Sequence, residues 1–162
     1  MTPLKPVIVQ PDTSKDLYAF GEVLSVLLNG KQTDGTLTLM FDLIPLGGSS
    51  PLYVHSHQDV LFLVVDGRIS YFVSGDWTEV EVGGAVYLPR GNVHAYRSVG
   101  ITPSHHWILS LPSGLEHFFE QHAEEFANLG VPDLKRIVDI GREQGLESLE
   151  EDLSEKKENH KN

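Results

Sequence analysis

From residue 22 to residue 111 the chain is a succession of short apolar or alternating runs, each cut off by a turn signal. The runs cover residues 22–28, 36–44, 60–65, 68–73, 77–82, 85–88, 93–99 and 105–111. The breaks fall at Asn29-Gly30, Pro45–Pro51, Asp66-Gly67, Ser74–Asp76, Gly83-Gly84 and Pro89–Gly91. Gly and Pro punctuate because one reaches positive φ freely and the other fixes φ. Many short strands at close spacing predict an all-β sandwich or barrel. Residues 6–9 read as a further opening strand, and residues 11–16 as a loop.

The pattern changes at Pro112-Ser-Gly114. Apolar residues then fall at 115, 118, 119, 126 and 129, which is helical spacing. Gly130 stands where a glycine stop is expected. A second helix is expected from Asp133, with Leu134, Ile137 and Val138 on one face, ending near Gly145. Residues 147–162 are mostly charged and read as a frayed or flexible acidic tail. The expected organisation is a β-barrel over 1–111, helices packed on it over 112–146, and the tail. Phe118, Phe119 and Phe126 form a stripe suited to packing the helix on the barrel or on a second subunit.

Composition narrows the function. A net charge of −11 argues against nucleic acid, which needs a positive surface, and against anionic membranes. There is no cysteine, so disulfides and thiolate chemistry are excluded. No signal-like apolar segment follows Met1, and no run of about 18 apolar residues could span a bilayer. A cytoplasmic protein is expected.

The chemistry concentrates in two places. His55-Ser-His57 heads the run 60–65. Side chains at i and i+2 of a strand share a face, so both imidazoles are expected to converge on one point inside the barrel or sandwich. Gly83, Pro89, Gly91 and His94 build a bend that delivers a third histidine at the head of the next strand. Tyr53 and Tyr96 share parity with His55 and His94 and are candidates to line a pocket; the simpler role is that of core aromatics with satisfied hydroxyls. Arg97 has the opposite parity to His94 and is expected outside. His105 and His106 are adjacent, so at most one points inward, and exposure of both is the expectation. His117 and His122 read as surface or packing residues.

These two motifs resemble those of the cupins, small jelly-roll β-barrels of two antiparallel sheets. His55-x-His57 with Gly67 is similar to the first cupin motif, and Gly83, Pro89, Gly91 and His94 to the second; the resemblance covers roughly residues 36–111. The exit at 107–119 resembles single-domain cupins similar to quercetin dioxygenases. The resemblance implies a divalent transition metal (Fe, Ni, Mn, Cu or Zn) held by His55, His57 and His94. It also implies a small-molecule substrate and a homodimer. The chain departs from the pattern where a ligating glutamate is expected: counted from His57 the place is Leu61, and counted back from Gly67 it is Val60. Gly48 is displaced by one residue, and Ser98 stands where the motif ends in asparagine. Asp59 is the nearby carboxylate and a weak substitute.

Three neutral imidazoles suit such metals and leave positions open for oxygen, water or substrate. Without metal, the same histidines would line a polar pocket or act as a general base. Two enzymatic readings follow, with His55, His57, His94, Tyr53, Tyr96 and Asp59 as candidate catalytic residues. One is a quercetinase-like dioxygenase on an aromatic or enolisable molecule. The other is a non-oxidative cyclase, isomerase or dehydratase of secondary metabolism, with the apolar run 60–65 as a pocket wall. A metal-free ligand-binding cupin is the third.

Overall fold

A computed structural model describes residues 4–129 and 134–149. Two antiparallel sheets face each other, as expected of a jelly-roll barrel. The strands are β1 (Lys15–Ala19), β2 (Glu22–Leu28), β3 (Thr38–Ile44), β4 (Tyr53–His55), β5 (Asp59–Asp66), β6 (Arg68–Val73), β7 (Asp76–Glu81), β8 (Ala85–Leu88), β9 (His94–Ser98), β10 (Ser104–Leu111) and β11 (Leu146–Ser148). Helices α1 (Leu115–Leu129) and α2 (Leu134–Glu143) lie between β10 and β11. One sheet has the order β1-β2-β3-β10-β5-β8, the other β11-β4-β9-β6-β7.

The two-residue period sets the interior. Alternate residues of β3 and β10 are buried along each whole strand. Met40, Ile44, Val60, Phe62, Ile69, Tyr71 and Ile108 fill the space between the sheets. Removing a buried apolar side chain of this kind costs roughly 2–5 kcal/mol.

Three expectations from sequence need correction. Residues 6–9 form no strand; the first strand begins at Lys15, inside and beyond the stretch read as a loop. Its pattern is weak because only Leu17 and Ala19 are buried. Residues 146–148 belong to neither helix nor tail but to β11, which pairs with β4 through Leu146↔His55 and Ser148↔Tyr53. Three residues with one apolar side chain carry no legible period. The expected Gly130 stop, the helix start at Asp133, the Phe126 side chain and residues 150–162 lie outside the described residues.

Helix α1 covers β1. Phe118 and His122 pack on Phe20, with ring centroids 6.0 and 4.4 Å apart. Phe118 and Phe119 are buried, as the stripe predicts. Glu116 fixes the turn into the helix. It accepts hydrogen bonds from the backbone N–H of Gly30 (2.7 Å) and Gly114 (2.8 Å), and from the Thr38 hydroxyl. Among the described residues no helix is long and apolar enough to cross a membrane.

Candidate functional site

Strand β4 is three residues long and buries its first and third side chains, Tyr53 and His55. It pairs with β9 at Tyr53↔His94, so the two strands with candidate histidines are neighbours. The bend before β9 is locked in place: Gly91, at φ +85°, donates its N–H to the His55 carbonyl at 2.7 Å. A side chain is strained at that φ.

The structure brings Tyr53, His55 and His94 together. Ring centroids are 5.2 Å apart for His55–His94, 4.3 Å for Tyr53–His94 and 5.2 Å for Tyr53–His55. Val60 faces the same interior from β5 and is fully buried. Of the two places counted for the missing carboxylate, Val60 points inward and Leu61 is half-buried on the opposite face.

His57 does not join them. The chain leaves strand geometry at Ser56, so parity no longer carries His57 to the inner face. Its side chain is exposed and lies against Gly145, where an added Cβ would come within 2.5 Å of Nδ1. Asp59 also points away from the interior. It accepts from the Arg90 backbone N–H (2.9 Å) and Nε (3.0 Å), which hold its carboxyl below the ordinary value. Arg97 is outside, with its guanidinium 4.1 Å over the Trp77 ring.

Burial sets the state of both inner histidines. His55 is pushed down to about 3, by desolvation first and then by His94. Desolvation takes His94 to about 4, partly offset by its bond to Asn92. Both are neutral at pH 7. His94 Nδ1 lies 2.9 Å from the Asn92 carbonyl, so the proton sits on Nδ1 and Nε2 keeps its lone pair. That Nε2 and His55 Nδ1 are buried without a hydrogen-bond partner.

These donors do not fit the metal centre that the resemblance implies. Among the described residues no group of three or more His, Asp or Glu side chains is placed to hold a metal ion. The inner layer supplies two imidazoles, and a phenol and an isopropyl group complete it.

A second polar cluster lies deeper, and the sequence reading missed it. His106 was expected at the surface, yet it is fully buried, because the β10 register puts it opposite Asp42 of β3 and Val64 of β5. Its Nε2–H donates to Asp42 Oδ2 (2.9 Å), and its Nδ1 accepts from the Tyr71 hydroxyl (2.7 Å). The Tyr96 hydroxyl donates to Glu22 Oε2 at 2.8 Å, with Asp42 Oδ2 at 3.4 Å. Burial, above all, pushes Glu22 up to about 9 and Asp42 up to about 7, and pulls His106 down to about 3. The Phe62 ring separates the clusters, 6.0 Å from His94 and 5.0 Å from His106. Parity was the available signal: burial alternates along β3, β10 and the start of β2, and Glu22, Asp42 and His106 share parity with buried Leu24, Met40 and Ile108. Tyr53 and Tyr96 also line a small apolar pocket closed by Phe20, Phe118, Phe119 and Leu146.

Comparison with known proteins agrees with this architecture. A cupin-domain family profile matches residues 40–109. Over 85 residues, 49% of this chain, the protein is 31% identical to quercetin 2,3-dioxygenase of Bacillus subtilis (strain 168), and the match spans only 24% of that enzyme. The fold is similar to a predicted oxalate decarboxylase from Thermotoga maritima (TM-score 0.62, 13% identity, 65% of this chain and 99% of that one). It is also similar to the polyketide cyclase RemF from Streptomyces resistomycificus (TM-score 0.60, 16% identity, 67% and 81%). With both motifs on paired strands of a two-sheet barrel, the fold is that of a cupin, and residues 40–109 match the cupin domain.

Proposed function

We propose that this cupin is an acid–base enzyme acting on a small aromatic or enolisable molecule, of the isomerase, cyclase or dehydratase kind. One observation carries the reading: the inner layer of Tyr53, His55, Val60 and His94 holds two unpartnered imidazole nitrogens and no carboxylate. Each neutral ring offers one N–H and one lone pair. Either ring can therefore take a proton from one atom of a bound molecule and, as the imidazolium so formed, return it to another, with no net change. A general base must be unprotonated at the working pH, and burial ensures that here.

The second reading, a quercetinase-like dioxygenase, is favoured by the 31% identity to the Bacillus enzyme. It would need more ligands than the inner layer supplies. The two separate in one assay. Aryl 1,3-diketones and quercetin are offered with EDTA or with added metal, following tautomerisation by absorbance and oxygen by electrode. The expected result is diketone tautomerisation that ignores EDTA and is lost in His94→Gln. Metal-dependent oxygen uptake with quercetin would establish the dioxygenase instead. Turnover of neither class would overturn the enzymatic reading.

The homodimer has a natural surface. Leu39, Phe41, Trp107, Leu61, Leu63 and Val65 lie on the outer face of the six-stranded sheet, half-buried or exposed. A solvated antiparallel face is normally polar, and a second copy covering this one would remove the mismatch. Sedimentation should show a dimer that Trp107→Glu dissociates; a wild-type monomer would contradict this.

A further inference from the structure

Glu22 of β2 and Asp42 of β3, 2% and 0% exposed, converge on the Tyr96 hydroxyl, which lies 2.8 Å from Glu22 Oε2 and 3.4 Å from Asp42 Oδ2. One oxygen of each is accounted for: Glu22 Oε2 by Tyr96, Asp42 Oδ2 by His106. The other two, Glu22 Oε1 and Asp42 Oδ1, are buried and have no partner. Buried unpaired polar atoms are costly. Among the described residues neither carboxyl has a Lys or Arg partner; the titratable groups facing them are Tyr53, Tyr71, Tyr96 and His106. Two anions this close in a desolvated interior repel too strongly to coexist.

One proton resolves each of these problems. We propose that Glu22 and Asp42 share a single proton between their carboxyl groups, forming with Tyr96 a second acid–base centre that reaches the pocket wall through that tyrosine. Donors and acceptors then match along the whole chain. Tyr71 O–H donates to His106 Nδ1, and His106 Nε2–H donates to Asp42. Glu22 O–H donates to Asp42 as well, and Tyr96 O–H donates to Glu22. The proton is held on the glutamate side because Asp42 already accepts from His106. Glu22 and Asp42 act as positioning residues that hold the Tyr96 hydroxyl in one orientation. The centre exists whichever chemistry the histidine layer performs, so its test does not depend on a substrate.

Infrared difference spectroscopy of the folded full chain at pH 7 reads the shared proton directly. Wild type should show one buried protonated-carboxyl C=O stretch, lost in Glu22→Gln and displaced in Tyr96→Phe, where Oε2 loses its donor. A purely structural tyrosine would leave the band where it is. Should Glu22→Gln fail to fold, carbon NMR of wild type labelled at glutamate carboxyls gives the same answer: one glutamate stays protonated at pH 7. No protonated-carboxyl band at pH 7, or glutamates that all titrate near the ordinary 4.5, would overturn the proposal.

Discussion

Gly145 and His57 touch: a Cβ on the glycine would come within 2.5 Å of His57 Nδ1, and the glycine backbone sits at φ +75°. The Gly145 carbonyl also accepts from the Ser56 N–H at 2.7 Å, immediately before β11 pairs with β4. His57 is thus part of the seam that holds the C-terminal strand against the first histidine motif. Gly145→Ala meets both the clash and the unfavourable φ, and should cost roughly 1–3 kcal/mol in urea denaturation. Exposed His57→Ala should stay within about 0.5 kcal/mol. A larger loss for His57→Ala than for Gly145→Ala would mean that the seam is misassigned.

The inner layer can be pushed back toward a metal site. Tyr53→His with Val60→Glu adds an imidazole and a carboxylate beside His55 and His94, on the faces of β4 and β5 that point inward. In nickel or zinc the double variant should gain thermal stability that wild type does not, since ligands that bind only the folded state stabilise it. Val60→Glu alone, without metal, should be destabilised by several kcal/mol because it buries an uncompensated carboxyl. Equal metal response in wild type and double variant would contradict this placement.

Stability should peak near neutral pH, with two opposite causes. His55, His94 and His106 have folded values of about 3, 4 and 3 against an ordinary 6.5. The unfolded chain binds more protons below 6.5, so stability falls as pH drops through that value. Glu22 and Asp42 are raised to about 9 and about 7. The folded chain there holds the extra protons, so stability falls as pH rises toward 9. Urea midpoints from pH 5 to 9 should trace a dome, and Glu22→Gln should flatten its alkaline side. A monotonic profile would rule out one of the two groups.

Glu116 joins the barrel to its helices, accepting from Gly30, Gly114 and Thr38. Glu116→Ala leaves these donors unpaired and should cost about 2–3 kcal/mol. Glu116→Gln, which keeps the shape but loses the charge, should cost less. Comparable losses in both variants would assign the stabilisation to the charge and the second acceptor oxygen that glutamine lacks.

Much of this was legible in the sequence. The runs at 22–28, 68–73 and 85–88 match strands β2, β6 and β8, because alternation or short apolar runs between glycine turns leave few other options. The bend at Pro89–Gly91 does place His94 at the head of β9, as its spacing predicts. What the sequence did not disclose is where β4 stops. One residue of strand more would have turned His57 inward, and no local signal in His55-Ser-His57 marks that end; a distant glycine does. His106 was misread for a related reason. Two adjacent histidines in a strand cannot both face inward, but only the pairing with Asp42 shows which one does.

As proposed, the two inner histidines work without a three-histidine metal centre. Elemental analysis of the protein, made in medium replete with iron, nickel, manganese, copper and zinc, tests it most directly, with His57→Ala and His94→Ala alongside. Sub-stoichiometric metal in all three is the predicted result. One metal per chain in wild type, lost in both variants, would contradict it.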